Sequence, residues 1–131
     1  MPTELPEAGY ESIRDLINSS RTAPSQWDYI ALVDDAGDEV IRVSITGDAN
    51  ASWSTEDQDA SGSDETMAVT YTISGSDIDL SSGAVTITSS ELYDTDSGGE
   101  PLSEDPFDDA VISSESDELI VEHKVETPRV N

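Results

Sequence analysis

The chain has no cysteine, and among its 131 residues it has one lysine, one histidine and one phenylalanine. The lack of cysteine excludes a disulfide framework and thiolate metal sites. No stretch approaches the roughly 20 apolar residues of a membrane-spanning helix. The first residues also lack the basic and apolar segments of a secretory signal. We therefore expect synthesis in the cytoplasm and no membrane partner.

Positive charge is equally scarce, since five basic residues face 30 acidic ones and the formal net charge is -25. Nucleic-acid binding needs clustered lysine and arginine, so no nucleic-acid partner is predicted. The eight glycines form neither a dinucleotide fingerprint nor a phosphate-binding loop, and we predict no cofactor.

The negative charge has three interpretations: a disordered chain, a mimic of nucleic acid or an acidic partner for a basic protein, or a protein folded in brine. At 1 M salt the Debye length falls to about 3 Å, so surface repulsion is largely screened. The acids are dispersed along the chain, lysine is almost absent, and alanine, valine, serine and threonine are plentiful. This pattern favours a halophilic host and predicts that folding depends on salt.

Alternation of apolar and polar residues argues against disorder, because it is the pattern of half-buried strands. It occurs in four segments, and a fifth, from Trp27 to Asp34, is apolar enough for a more fully buried strand. One face of each alternating segment carries the apolar set: Ile41, Val43 and Ile45; Met67, Val69, Tyr71 and Ile73; Val85 and Ile87; Leu119, Val121 and Val125.

These patterns predict an all-β fold, an antiparallel and jelly-roll-like β-sandwich of about seven or eight strands. One short amphipathic helix is expected at about residues 8 to 18, with Tyr10, Ile13, Leu16 and Ile17 at helical spacing. We expect residues 1–25 to form an N-terminal arm with this helix and residues 26–131 to form the sandwich, within one globular domain overall. The helix either covers an open end of the sandwich or docks on a neighbouring subunit.

No catalytic constellation is visible, and we predict that the protein is not an enzyme. His123 is the only histidine, and alternation places it on the apolar face of its strand, where a packed side chain is expected. Asp94, Asp96 and Glu100 are weak candidates for a calcium site, because alternate oxygen ligands and glycines suit a hard cation. The segment lacks the rest of the EF-hand pattern, so no metal is predicted.

Aromatic and large apolar residues are the candidates for core or interface anchors. They are Tyr10, Ile13, Ile17, Trp27, Trp53, Tyr93 and Phe107. The triplets that begin at Asn18 and Asn50 match the glycosylation pattern, which arises often by chance.

The C-terminal half resembles small structural modules of tailed phages and their relatives. Matching positions are Ile87-Thr88, Leu92-Tyr93-Asp94, Gly98-Gly99, Leu102, Phe107 and Ser116 to Val121. The helix and first strand match more loosely, while Ser89 and Glu91 stand where the modules have Glu and Gly.

The resemblance implies a non-enzymatic β-sandwich protein of a virion, in the tail, the baseplate, the fibre region or the capsid surface. Together with the acidic composition, it predicts a haloarchaeal tailed virus and assembly as a cyclic homo-oligomer with other virion proteins. The alternatives are a soluble halophilic β-sandwich that binds a protein or carbohydrate partner, and a calcium-dependent adhesion module.

Overall fold

The computed structural model describes residues 5–22, 24–57 and 65–125, and its main feature is two antiparallel sheets packed face to face. The first sheet has the strand order β2-β1-β5-β6 and the second β3-β4-β7. The strands are β1 (Tyr29–Asp34), β2 (Glu39–Ser44), β3 (Ala51–Asp57), β4 (Glu65–Ser74), β5 (Val85–Tyr93), β6 (Ser103–Ile112) and β7 (Glu118–Val125). The all-β sandwich of about seven or eight strands is confirmed, since the described residues form seven strands in two sheets.

The core lies between the sheets and is built from the predicted alternating faces. Val69, Tyr71 and Ile73 of β4 are buried, and Val121 of β7 joins them. From the first sheet, β1 contributes Ile30 and Leu32. All of residues 30–33 are buried, in a strand that lies between β2 and β5. The prediction of fuller burial for this segment is confirmed.

A β-bulge interrupts the alternation of β5. The register with β6 shifts between Ile87 and Ser89, and the register with β1 shifts at the same place. One extra residue in a strand moves the following side chains to the opposite face. Ile87 therefore points into the core, and after the bulge Ser90 and Leu92 do so as well.

The hairpin of β5 and β6 turns at two adjacent glycines. Gly98 has φ 63° and Gly99 has φ 76°, in the left-handed region that glycine enters without steric cost. The carboxylates between β5 and β6 therefore lie on the loop that joins these two paired strands.

The helix α1 runs from Glu7 to Ile17, within one residue of the predicted limits. Its fully buried residues are small. Gly9 lies against the carbonyl of Leu102, where any larger side chain would collide, and Ser12 is also buried. The helix therefore packs against the segment that precedes β6 and, through Ser12, against Trp27.

The last turn of the predicted apolar face does not pack on the described part of this chain. Leu16 is 71% exposed and Ile17 is 77% exposed, so neither belongs to the core of this chain. The spacing of apolar residues identified the helix correctly. The face that packs inward is instead the one with Gly9 and Ser12, where the helix backbone lies close to the rest of the chain.

Candidate functional site

An open groove of about 440 Å³ lies beside the core at the end of the second sheet. Its apolar walls come from four separate segments, with Trp27 ahead of β1, Trp53 in β3, Met67 in β4 and Val125 in β7. The backbone register brings the last two side by side, because Met67 pairs with Val125. We call this feature the tryptophan groove, and its volume falls in the range typical of ligand sites.

The orientation of Trp27 is fixed from the helix. Its indole Nε1–H donates a hydrogen bond to the hydroxyl of Ser12 at 2.9 Å. Because the indole has a single donor, this bond satisfies its polar atom and leaves the ring as an apolar wall. Trp53 packs partly against the core from the other side. Both tryptophans of the chain therefore line the same groove.

The polar part of the groove includes Gln26, Asp28 and Thr46. The carboxylate of Asp28 accepts hydrogen bonds from the hydroxyls of Ser44 and Thr46, at 2.8 and 2.9 Å, and from the backbone N–H of Thr46 at 3.2 Å. These three donors are neutral, so they position the carboxylate without neutralising it.

The acidic loop after β5 is held by an arginine from another strand. The Nη1 of Arg42 in β2 donates to the carbonyls of Thr95 at 3.1 Å and Gly98 at 2.9 Å. The guanidinium also binds Glu39 at 2.6 Å and lies 3.5 Å from the centre of the Tyr93 ring. Only 6% of the Arg42 side chain is exposed, so the loop carbonyls accept hydrogen bonds from a nearly buried positive charge.

The weak calcium candidates do not come together. In the described part of the chain, no group of three or more histidine, cysteine or acidic side chains is arranged to hold a metal ion. Thr95 and Gly98 give their carbonyls to Arg42, while Asp96 and Glu100 are exposed.

A carboxylate beneath this arginine has an unusual environment. Burial raises the pKa of Glu91, although the hydroxyl of Tyr93 donates to it at 2.8 Å and favours its ionised form. The neighbouring carboxylates of Glu104 and Glu39 raise its pKa further, and Arg42 lowers it. Burial also raises the pKa of Tyr93.

His123 is buried between the sheets, as the alternation of β7 predicts. Its Nδ1 lies 2.7 Å from the hydroxyl of Ser90, and its Nε2 lies 2.8 Å from that of Ser103. Burial lowers the pKa of His123 to about 4, so the ring is neutral at ordinary pH. Both ring nitrogens have partners inside the core, and this arrangement favours a structural role.

The predicted anchors have different environments. Tyr93 is buried, whereas Trp27, Trp53 and Phe107 are partly buried against the core. Ile17 points to solvent, and its role at an interface stays a prediction. Tyr10 and Ile13, on the helix, are half-buried.

Sequence patterns missed Arg42, Ser90 and Ser103. An arginine in a polyanion carries no signal of its partner, and the β-bulge hides the inward direction of Ser90. The one available signal was the scarcity of basic residues, because each of the five has many acidic groups as possible partners.

Comparison of the chain with protein-family models, curated proteins and solved structures finds no match. Within residues 5–22, 24–57 and 65–125, no helix is long and apolar enough to cross a membrane.

Proposed function

We propose that this chain is a non-enzymatic structural protein of the virion of a halophilic archaeal tailed virus. It acts by homo-oligomeric assembly, in the tail, baseplate or fibre region or on the capsid surface. The resemblance of the C-terminal half to phage modules and the acidic composition support the virion setting. The observation that carries the assembly mechanism is the exposed apolar pair at the end of α1, Leu16 and Ile17.

This pair lies in the one described segment where charge is nearly balanced. Residues 5–22 contain three acidic and two basic residues, a net charge of -1, while the whole chain carries -25. Arg14 pairs with Glu7 at 2.6 Å, and Arg21 pairs with Asp15 at 2.8 Å. Two polyanionic copies meet with least repulsion at such a surface.

Burial of the pair against a neighbouring copy supplies a driving force. Full burial of one leucine or isoleucine side chain stabilises by about 1.5–3 kcal/mol. The hydrophobic term persists in molar salt, whereas repulsion between distant surface charges is screened there. We infer that salt promotes both folding and assembly, and that closed rings result from the helix of each copy contacting the next.

The test is the size of the purified protein in molar KCl, by sedimentation velocity and negative-stain imaging. We expect discrete rings or spikes, and we expect the double variant Leu16→Ser, Ile17→Ser to sediment as a monomer. Val111 and Ile120 are also exposed, at 60% and 65%, so the double variant Val111→Ser, Ile120→Ser is the matched control and retains assembly. A monomeric wild-type protein overturns the proposal.

The particular virion part is tested by locating peptides of this chain in intact particles, tail-stripped capsids and isolated tails. Peptides confined to isolated tails assign it to the tail, baseplate or fibre. Peptides retained by stripped capsids assign it to the capsid surface. Complete absence from purified particles refutes the virion role and leaves the assembly mechanism to the sedimentation test.

A second candidate function is a soluble binding module for a protein or carbohydrate, and the tryptophan groove favours it. Aromatic walls with a few polar groups are the usual composition of a ligand pocket. A monomer that retains a ligand through purification in high salt would support this function over assembly.

A further inference from the structure

The tryptophan groove combines two aromatic rings with an uncompensated carboxylate. Trp27 and Trp53 form apolar walls, and Asp28 lies among the polar lining. The described partners of Asp28 are hydroxyls and a backbone N–H, none of which removes its charge. Aromatic faces carry negative electrostatic potential, so the rings and the carboxylate attract the same kind of group.

The chain already binds one such group within its own fold. The guanidinium of Arg42 lies on the ring of Tyr93 and pairs with Glu39. In this protein an aromatic face, a carboxylate and two loop carbonyls together hold an almost fully buried guanidinium. The groove presents an aromatic face and a carboxylate as well, with tryptophan, the stronger cation-binding ring, in place of tyrosine.

We propose that the tryptophan groove is a binding site for the guanidinium group of an arginine side chain presented by a partner protein. A guanidinium is planar and weakly hydrated, so it stacks on an indole ring and gives up water more readily than an ammonium does. The net charge of -25 attracts a basic partner at long range in low salt, and the groove supplies the short-range contact that survives in high salt. This site is separate from the helix interface proposed above.

Intrinsic fluorescence gives a direct test, because the only two tryptophans of the chain both line the groove. The probe is the peptide acetyl-Gly-Arg-Gly-amide, titrated into the protein in molar KCl. Its control is the same peptide with citrulline, which has nearly the same shape and no charge. We expect a saturable change with the arginine peptide and at least about tenfold weaker binding of the citrulline peptide.

Variants separate the two components of the site. Asp28→Asn keeps the size of the side chain and removes its charge, and Trp53→Leu removes one ring while leaving Trp27 as the reporter. Each is expected to weaken binding of the arginine peptide by about tenfold. Val111→Ser, on an exposed position of β6 outside the groove lining, leaves binding unchanged. Circular dichroism of each variant verifies the fold before titration.

Equal binding of the arginine and citrulline peptides overturns the proposal, because the groove then recognises shape and apolar surface alone. No saturable change with the arginine peptide overturns it as well. If maltotetraose, a neutral oligosaccharide, binds where the arginine peptide does not, the groove belongs to the carbohydrate-binding candidate. Sedimentation of the same samples reports assembly independently, so failure here leaves the proposed assembly function intact.

Discussion

Lowering the pH from about 7 to about 5 should destabilise this protein through one side chain, His123. Burial lowers its pKa from the ordinary 6.5 to about 4 in the folded state. Between these two values the unfolded chain binds a proton that the folded chain excludes. The stabilising contribution of the neutral ring is therefore fully present above pH 6.5 and is lost as the pH falls towards 4.

The size of the effect follows from the two pKa values. The free energy of unfolding should fall by about 2 kcal/mol between pH 7 and pH 5, out of about 3 kcal/mol for the whole shift. For a domain of this length, this loss corresponds to a decrease of roughly 5–10 °C in the melting temperature. Glu91 opposes the trend, because its raised pKa makes the folded state gain a proton as the pH falls.

The assay is thermal and denaturant unfolding in molar KCl across this pH range, with His123→Gln as the comparison. Subtracting the free energy of unfolding of the variant from that of the wild-type protein removes the shared contribution of the carboxylates. This difference should still change by about 2 kcal/mol between pH 7 and pH 5. Since the chain has one histidine, its ring resonance in a proton NMR titration also measures the pKa directly. A folded-state pKa near 6.5, or the same slope in the variant, would refute this reasoning.

Three further outcomes are expected. Arg42→Met should lower the free energy of unfolding by about 3 kcal/mol and increase hydrogen exchange in the loop 94–100, because a nearly buried cation with several partners is lost. Arg42→Lys should not restore the order of this loop. A calcium chelator should leave the melting temperature of the wild-type protein unchanged. Gly75→Ala should lower the urea midpoint far more than Gly37→Ala, because the methyl group added at position 75 meets the backbone carbonyl of Ser114. At position 37 the methyl group has open space, and the positive φ alone should cost the alanine variant about 1 kcal/mol. Circular dichroism should show strand structure strengthening from dilute buffer to molar KCl, and a coil in saturated KCl would contradict the brine interpretation.

Periodicity predicted the sandwich because each strand buries one face, and a repeat of two is visible in the letters themselves. It placed Val69, Tyr71 and Ile73 in the core. The paired glycines, which belong to the resemblance, lie at the turn between β5 and β6. It failed at Ser90, since one extra residue in β5 reverses the direction of the side chains that follow.

The candidate sites were less accessible to prediction than the fold. Trp27 and Trp53 are 26 positions apart, and only the packing of several segments makes them walls of one groove. The acidic loop suggested a cation, and the structure supplies one as Arg42, more than 50 residues away along the chain. Such pairings depend on tertiary contacts, for which a single sequence carries no periodic signal.

The sequence by itself determined that this polyanion forms strands, that it has no thiol chemistry, and that an amphipathic helix lies near the N-terminus. Only the tertiary structure decided which face of that helix packs inward and where the few positive charges find partners. The reason is physical: alternation and charge count are properties of neighbouring residues, whereas burial and hydrogen bonding depend on segments that meet only after folding.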